Sequence, residues 1–476
     1  MWPWGVAVLL LAWAAMGAWQ RCKPLPEGVG QAWPERPAAQ VRLLVDETWY
    51  DAQGQQHRRQ AIFDEMLTMI EQARRLVVLD VFLFNDFAGA TEGKEFRPLS
   101  GELAEALIAQ QRRHPTLEAV VVTDPLNTFY GSLAPEHFAR LRAAGVRVVI
   151  TDLNRLRASN PLWSGLWHLG PRWLGNRSDG GWLPNALGPG RVTLRSYLAL
   201  LNFNANHRKT LVVDHGDDWA GLVTSANPHD ASSLHGNVAL RFAGPAARDL
   251  LVSERWVAAW GGVKLSGPSS PEASPVEGGG PRLQLVTEGA IREALLAAIG
   301  RAGRGERLNI AVFYLSHRGL IEALVAARRR GVRVRVLLDP NQEAFGLKKG
   351  GIPNRPVADE LVAAGIEVRW CLTRGEQCHG KLLLRHPVAT DGEAEMILGS
   401  ANFTRRNLDN LNLETSVRLV GAPDTPVIME AMAFFRRRWD ATPACASSEP
   451  YVAGHAVRGW QVLRYRIMEA TGLSTF

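Results

Sequence analysis

The sequence is poor in cysteine and in tyrosine. Its four cysteines, Cys22, Cys371, Cys378 and Cys445, show no repeated short spacing, which argues against a four-cysteine zinc site. Cys371 and Cys378 could bridge in an oxidising compartment, but buried free thiols are the commoner outcome and are predicted here. With 21% charged and 46% hydrophobic residues, the chain is neither disordered throughout nor collagen-like, and it is not a protein of many membrane spans.

The sequence also lacks a strong excess of one charge, since 54 Lys and Arg accompany 47 Asp and Glu, a net charge of +7. A basic chain favours an anionic partner, and nucleic acid and anionic lipid both fit. Aromatic usage is uneven, with 16 tryptophans against 6 tyrosines. The length of 476 residues predicts two domains of ~200 residues or three of ~150.

The N-terminal residues 1–19 contain no charged side chain, and Arg21 and Lys23 follow directly. This segment reaches the ~20 residues that a helix needs to cross a bilayer. A cleaved signal peptide usually begins with basic residues, and none precedes the apolar run here. We therefore predict a single membrane anchor within residues 1–22, with a cleaved signal as the alternative. The two positive charges favour a cytoplasmic body, but they leave the side of the membrane open.

An internal repeat divides the chain around residues 264–281, a segment dense in Pro, Gly and Ser that predicts a linker. Each half runs through an apolar strand, an amphipathic helix, a β-branched strand closed by Asp-Pro, and a further helix and strand. Strands that alternate with helices indicate α/β layers. We predict two pseudo-symmetric α/β domains, each a mixed sheet flanked by helices, over residues 41–263 and 282–440, followed by an extension at 441–476.

A shared set of polar residues follows in both halves. The first half carries NHRKTLVVD and then TSAN, and the second carries CHGKLLLRH and then GSAN. The residues concerned are His207, Lys209, Asp214, Ser225 and Asn227 in the first half and His379, Lys381, Ser400 and Asn402 in the second. The first half is longer by about 16 residues near 86–100 and by about 43 residues before its histidine, which predicts an insertion at about 154–195.

The paired motifs resemble those of the phospholipase D superfamily, in which each half carries H-x-K-x4-D followed by a Gly/Ser-x-Asn turn. The resemblance covers roughly residues 41–440. It implies one site where the halves meet, a phosphohistidine intermediate on one histidine, and acid and then base chemistry on the other. By analogy with the family, His207 is expected to be the nucleophile and His379 the general acid, although the residues alone do not establish that order.

The residue types suit this chemistry independently of the family. Cleaving a phosphodiester through a covalent intermediate requires a nucleophile for phosphorus and a proton donor for the leaving alkoxide, and histidine can serve as either near neutral pH. The H-x-K spacing on a strand directs both side chains to one face, so each lysine can neutralise phosphate oxygens beside its histidine. The Ser and Asn of each turn can donate further hydrogen bonds to those oxygens. No metal and no other cofactor is required.

Each half departs from the family pattern at one carboxylate. His386 stands where the second motif has its Asp. Glu414 lies where many family members carry an acid that holds the Nδ1 atom of a catalytic histidine. The equivalent place in the first half holds Gly236, with His235 beside it. We therefore predict an asymmetric but active pair, with a decayed pseudoenzyme that only binds membranes as the alternative.

Other polar residues have simpler explanations. Asp124 and Asp339 precede prolines at strand ends, where turn geometry accounts for them. Three residues after the first motif resemble a metal cluster on paper, but a solvated hairpin turn is predicted for them: His215, Asp217 and Asp218. No metal site is predicted.

The insertion bears on the substrate, which the motif alone leaves open. Trp163, Trp167 and Trp173 are interleaved with leucines and flanked by arginines, a pattern typical of an interfacial segment that contacts a bilayer. The alternative is a loop that packs its aromatics onto its own domain. We predict an enzyme similar to phospholipase D or cardiolipin synthase that acts on phospholipid at a membrane surface.

Hydrolysis and transfer share their first chemical step, so water, an alcohol or a second lipid could be the acceptor. A nuclease is the alternative function, but no Lys/Arg run with interleaved aromatics marks a single-strand groove. No pattern points to an obligatory protein partner.

Overall fold

The computed structural model describes residues 2–87, 95–268, 280–341, 343–344, 347–348, 350–389, 391–452, 459–472, 474 and 476. Residues 269–279, most of the predicted linker, lie outside the described residues, as do residues 88–94 of the extra segment predicted near 86–100. All residues of the paired motifs are described.

The described residues form thirteen α-helices. They are α1 Trp2–Cys22, α2 Ile62–Gln72, α3 Leu99–Arg113, α4 Glu136–Ala143, α5 Pro161–Leu169, α6 Leu194–Leu200, α7 Pro245–Trp260, α8 Gly289–Arg301, α9 Arg318–Arg329, α10 Asn354–Ala363, α11 Arg405–Leu408, α12 Pro426–Trp439 and α13 Gly459–Thr471. The predicted amphipathic helices of the two halves are α3 and α9, and each carries two arginines in its last turn, where the helix dipole favours positive charge.

The strands of the described residues number twenty-one. They are β1 Arg36–Pro37, β2 Ala39–Tyr50, β3 Gln56–Arg59, β4 Leu76–Val81, β5 Glu118–Thr123, β6 Arg147–Ile150, β7 Leu183–Pro184, β8 Arg191–Val192, β9 Lys209–His215, β10 Asp218–Thr224, β11 Asn237–Ala243, β12 Arg282–Thr287, β13 Arg307–Val312, β14 Arg333–Leu338, β15 Glu343–Ala344, β16 Leu347–Lys348, β17 Glu367–Cys371, β18 Lys381–His386, β19 Ala394–Gly399, β20 Thr415–Gly421 and β21 Ser448–Pro450. The strands predicted in each half before the motifs correspond to β4 to β6 and to β13, β14 and β17.

Most strands belong to two large mixed sheets with the same internal order. The first runs β3-β2-β11-β10-β9-β4-β5-β6, and the second runs β1-β12-β20-β19-β18-β13-β14-β17-β21. Helical crossovers make β4, β5 and β6 parallel, whereas β9 is antiparallel to both β4 and β10. Strands β13, β14, β17 and β18 repeat this arrangement. The predicted α/β fold of two pseudo-symmetric mixed sheets is confirmed.

The two sheets pack against each other across a shared core. Val78 and Val212 of the first sheet belong to the same buried cluster as Leu382 and Leu398 of the second. Helices α2, α3 and α4 contribute to the core on the outer face of the first sheet, and α8, α9 and α10 do the same for the second. The motif strands β9 and β18 lie in the interior of their sheets, so the residues that precede them can meet at the junction of the halves.

Segments on either side of the two predicted domains also pair with the second sheet. Strand β1 pairs with β12, so residues ahead of the first sheet add to the second one. In the C-terminal extension, β21 forms an edge strand on β17. The extension also forms α13, with Tyr465 buried in the outer core of the second half. The sheet edge itself is extended by β21.

The predicted insertion folds into α5, α6 and the short hairpin of β7 and β8. The indole of Trp163 donates to the carbonyl of Leu198 (2.8 Å), and Trp167 is buried. Trp173 and Trp182 are exposed instead, at 72% and 59% of their surface. Each of the two explanations offered for the insertion therefore fits a part of it.

Cys371 at the end of β17 and Cys378 just before His379 form a disulfide. Their Cα atoms lie 6.2 Å apart, within the range that a disulfide spans. The prediction of free thiols is wrong for this pair. Cys22 and Cys445 are free.

Helix α1 is long and apolar enough over Trp4–Cys22 to cross a membrane. A signal sequence near an N-terminus has the same length and composition. The helix therefore agrees with the predicted membrane association without separating an anchor from a signal sequence.

Candidate active site

Reciprocal backbone hydrogen bonds bring the two motifs to the junction of the halves. The N–H of His207 donates to the carbonyl of Leu413 (2.9 Å), and the N–H of His379 donates to the carbonyl of Gly236 (2.8 Å). Each bond runs from a motif in one half to a residue of the other half. Burial lowers the pKa of His379, and the charges of Lys381, His235, Lys209 and His207 lower it further.

Each histidine is held at Nδ1 by a side chain from the opposite half. The Nδ1 atom of His207 lies 2.8 Å from Oε1 of Glu414. The Nδ1 atom of His379 lies 3.1 Å from Oδ1 of Asn237. Because both oxygens are acceptors, Nδ1 carries the proton in each neutral ring, and the lone pair is on Nε2. The two contacts orient both Nε2 atoms for chemistry.

Asn237, and not Gly236, is the counterpart of Glu414. Leu413 and Gly236 accept the equivalent cross-half backbone bonds, so the residues after them correspond. A Cβ atom at Gly236 would lie 2.9 Å from the guanidinium of Arg438, which leaves little room for a side chain there. The sequence expectation was therefore misplaced by one residue, because the counterpart of Glu414 is an amide and not the carboxylate that the family pattern predicts.

Both motif lysines are buried beside their own histidines. The Nζ atoms of Lys209 and Lys381 donate to the backbone carbonyl of the histidine in the same motif. Aromatic rings cover them equivalently, with Lys209 5.2 Å from the ring centroid of Phe82 and Lys381 5.4 Å from that of Phe313. Phe82 directly follows β4 and Phe313 directly follows β13, the equivalent apolar strands of the repeat.

The two lysines and two histidines of the site have lowered pKa values, so they lose their positive charge readily. Burial lowers the pKa of Lys209 to about 7. Burial, followed by the charge of Lys209, lowers the pKa of Lys381 well below its usual range. Burial also lowers the pKa of His207 to about 4 and holds the pKa of His379 well below its usual value. A bound anion would favour the charged forms of all four groups, so the site suits a phosphate.

The two turn serines support the histidine partners. Ser225 donates from Oγ to Oδ1 of Asn237 (2.9 Å), and Ser400 donates from Oγ to Glu414. Burial alone would raise the pKa of Glu414, but His207 and then Lys209 and Ser400 hold it below its ordinary value. The predicted phosphate contacts of Ser225 and Ser400 are therefore replaced by contacts with the groups that hold the histidines.

The two turn asparagines keep polar atoms that no described residue satisfies. Oδ1 of Asn227 and Oδ1 of Asn402 are both buried and lack a hydrogen-bond partner within the described residues. An asparagine amide can present either its oxygen or its NH₂ group to a ligand. The two turns thus supply equivalent polar groups, as the repeat predicts.

Asp214 lies away from the site, at the far end of β9 from His207. Its carboxylate accepts from the backbone N–H groups of Arg75 (2.8 Å) and Leu76 (2.9 Å), just where β4 begins. His386 occupies the matching end of β18, and its Nδ1 contacts the carbonyl of Pro387 (2.9 Å). The prediction that Asp214 belongs to the catalytic set is not supported, because its oxygens are used to hold a loop.

Asp124 and Asp339 combine a turn with a second contact. One oxygen of each caps its own turn, as expected. The other oxygen accepts the N–H of the residue just before the motif histidine, Asn206 (2.7 Å) in the first half and Cys378 (2.8 Å) in the second. Both aspartates therefore fix the backbone that carries a histidine.

The three residues that resemble a metal cluster occupy a hairpin turn. His215 ends β9 and Asp218 begins β10, with Asp217 between them. Across the described ranges, no group of three His, Cys, Asp or Glu side chains is arranged to hold a metal ion.

Arg208, the middle residue of the first motif, faces away from its neighbours because side chains alternate along an extended chain. Its guanidinium is buried and pairs with Glu288 of the second half (2.8 Å) and with Glu254 (3.5 Å). Glu288 also accepts the backbone N–H of Glu414 (3.0 Å). Arg208 thus links the strand that follows His207 to the backbone that carries Glu414.

The lowered pKa of Lys209 predicts a pH-dependent affinity for anions. Sulfate has no ionisation near neutrality, so a change in its binding reports on the protein. Above pH 7 the lysine must take up a proton when sulfate binds, and the affinity should fall by up to about tenfold per pH unit for each proton taken up. The measurement is the sulfate-dependent shift in thermal midpoint between pH 6 and pH 8.5.

Two variants control this experiment. Lys209→Met should make the pH dependence shallower by the contribution of one proton, whereas Lys264→Met, after α7, should retain it in full. A sulfate effect that is the same at every pH in the wild-type protein would contradict the prediction.

Comparison with known proteins bears on the family and the fold. The model of a family described as cardiolipin synthase, PLD-like domain, matches residues 295–439, which include the second motif. No curated protein matches the chain. Among solved structures, phosphatidylserine synthase from Haemophilus influenzae Rd KW20 is similar over 93% of this chain and 96% of its own, with a TM-score of 0.58 and 10% identity.

Two other solved structures are less similar overall. Polyphosphate kinase from Porphyromonas gingivalis has a TM-score of 0.47 and 13% identity over 91% of this chain. The chain spans about half of that protein, 53% of its length. Nuc, a phospholipase D family member from Salmonella typhimurium, has a TM-score of 0.28 and 21% identity over 36% of this chain and 99% of its own. Neither likeness bears on the fold at these TM-scores.

The fold and site define a class: a duplicated α/β protein in which each half contributes one histidine and one lysine to a single centre. The family match in the second half and the likeness of the whole fold to phosphatidylserine synthase agree with that class. The family match over residues 295–439 supports the resemblance to the phospholipase D superfamily that the paired motifs predict.

Proposed function

We propose that this protein is a phospholipid phosphodiesterase or phosphatidyltransferase that acts through a phosphohistidine intermediate. The observation that supports this most directly is the pair of histidines, each held at Nδ1 from the opposite half and each with Nε2 available. Two buried lysines and two asparagine amides surround them with groups that suit a phosphodiester. The family match in the second half and the resemblance of the paired motifs to the phospholipase D superfamily favour phosphodiester transfer as the reaction.

The unequal partners favour His207 as the nucleophile. When Nε2 of His207 attacks phosphorus, the P–N bond forms and the P–O bond to the leaving alcohol breaks, and the imidazole gains positive charge. The buried carboxylate of Glu414 offsets that charge, whereas the neutral amide of Asn237 could not. His379, with a neutral partner, is the stronger acid when protonated, and it passes its Nε2 proton to the leaving alkoxide.

The second step reverses these roles. His379 removes a proton from water or an alcohol, the new O–P bond forms, and the P–N bond to His207 breaks. The buried lysines and the amides of Asn227 and Asn402 bind the phosphate oxygens in both steps. The residues of the site can carry out both steps without a metal or another cofactor.

A lipid substrate is favoured by the comparisons and by the exposed apolar residues near the chain's start. The matching family is described as cardiolipin synthase, and the similar solved structure is a phosphatidylserine synthase. Helix α1 is a candidate membrane span, and we propose that it is a single anchor. The acceptor is water, an alcohol or a second lipid, and no protein partner is required.

The test is to incubate the purified full-length protein separately with phosphatidylglycerol, with phosphatidylcholine plus ethanol, and with single-stranded DNA. Phosphatidic acid, a phosphatidylalcohol or cardiolipin is the expected product from the lipids. The identity of that product separates hydrolysis from transfer. Product from DNA alone would exclude the lipid proposal and would favour a nuclease.

A further inference from the structure

Helix α1 is packed closely against α5 of the insertion. A Cβ atom at Gly165 would lie 2.9 Å from the carbonyl oxygen of Trp13 and 3.0 Å from the nitrogen of Gly17. A Cβ atom at Gly17 would lie 2.9 Å from the carbonyl oxygen of Pro161. The indole of Trp13 also donates to the carbonyl of Leu162 (2.7 Å). Two glycines at a helix crossing allow the backbones to touch, which is the usual way that helices associate in membranes.

The end of α1 is joined to the chain just before α5. The N–H of Ala158 donates to the carbonyl of Gln20 (2.9 Å), and the guanidinium of Arg157 donates to the carbonyl of Lys23 (2.8 Å). Lys23 in turn donates from Nζ to the carbonyl of Asn154 (2.6 Å). Cleavage near residue 22 would remove Gln20 and its bond with Ala158, together with the contacts of Trp13 and Gly17, so these contacts favour a retained helix.

The outward surface of this helix pair is apolar. Residues 4–15 of α1 are exposed, and so are Leu162, Leu166 and Leu169, which lie on one face of α5. Trp173, four residues after the end of α5, is also exposed, at 72%, with the guanidinium of Arg172 4.9 Å from its ring centroid. Tryptophan and arginine beside an apolar face are typical of the membrane interface.

The position of the crossing along α1 also indicates how deep α5 would lie in a bilayer. Gly17 lies five residues before the end of α1, or about 7 Å along the helix axis. If α1 crosses a bilayer, α5 must therefore lie near the boundary between headgroups and acyl chains, where interfacial helices bind. A soluble protein partner would not explain why the apolar face continues along a helix of spanning length.

We propose that α1 is retained and that α1 and α5 together form a docking surface for a phospholipid bilayer beside the active site. The link to the site is direct, because Ser164 of α5 bonds Asn202 (2.8 Å) and Asn204 bonds the carbonyl of Arg157 (2.8 Å), shortly before His207. This inference deepens the proposed function, on which it rests for the identity of the substrate. It places the substrate in the same bilayer that binds the helix pair.

Fluorescence quenching by brominated phosphatidylcholine tests the docking independently of catalysis. In full-length protein reconstituted into mixed phosphatidylglycerol and phosphatidylcholine vesicles, Trp173→Phe should remove part of the quenching. Trp260→Phe is the matched control, because Trp260 is buried in the protein core, and its loss should not reduce the quenched signal. Quenching that is unchanged by Trp173→Phe, or a bound protein whose mass shows cleavage near residue 22, would overturn the proposal.

Glycine variants test the coupling to the site. Gly165→Leu should lower turnover of vesicle phospholipid by at least tenfold while leaving hydrolysis of a soluble phosphodiester, such as bis(p-nitrophenyl) phosphate, unchanged. Gly175→Leu is the matched control, since a Cβ atom there meets no other atom within 4 Å. Equal losses with both substrates in Gly165→Leu would overturn the proposal in favour of simple packing. A wild-type protein that shows the quenching pattern but turns over no lipid would instead contradict the proposed function and leave the docking surface supported.

Discussion

Replacing His207 with alanine is expected to lower the rate of phosphodiester cleavage by at least about 10³-fold, because the variant has no atom to form the covalent intermediate. His379→Ala should cost a similar factor with a poor leaving group, since the leaving alkoxide then has no proton donor. The measurement is kcat/KM for a phospholipid in detergent micelles. His215→Ala, at the half-buried last position of β9, is the matched control and should retain full activity.

The same variants test the order of the two histidines. With an activated leaving group, His379→Ala should still be phosphorylated but should lose its intermediate slowly. Mass spectrometry of quenched peptides should then find the phosphoryl group on His207. A phosphopeptide that contains His379 in the wild-type protein would reverse the assignment, and unchanged activity in both alanine variants would end the proposal of catalysis by this pair.

Replacing Arg208 with methionine is expected to lower the free energy of unfolding by about 3 to 5 kcal/mol, because Glu254 and Glu288 would stay buried without their cation. The measurement is the urea midpoint of the full-length protein. Arg177→Ala is the control, since its pair with Asp179 is exposed and should contribute nothing measurable. An unchanged midpoint in Arg208→Met would mean that the link between the halves is not energetically important.

Much of the fold was accessible from the sequence because it depends on local patterns. Apolar strands alternating with amphipathic helices predict α/β layers, and the same order in both halves predicts a duplicated sheet. The placement of His207 and Lys209 together also follows from spacing alone, since residues two apart on an extended chain share a face. These inferences need no knowledge of which distant segments meet.

The parts that were missed depend on contacts between distant residues. Asn237 can hold His379 because the carbonyl of the preceding residue, Gly236, accepts the N–H of His379. If the two halves are aligned one residue out of register, the role of Asn237 is not visible in the sequence. Ser225 has the right chemistry for phosphate, but its hydroxyl is already used by Asn237. Asp214 matches the family motif, yet its oxygens are occupied at the far end of β9. A comparison of NVAL after Gly236 with ETSV after Leu413 could have found the correct register.

The unequal partners of the two histidines have a consequence for substrate orientation. A symmetric homodimer built from one repeat presents the same residue on both sides of its twofold axis, so either histidine can attack and a substrate can enter in two equivalent directions. In a single chain the halves are free to differ, and here one imidazole faces Glu414 and the other faces Asn237. The two ends of the active site are therefore not equivalent. A diester with two different alcohols should bind productively in only one of its two possible orientations.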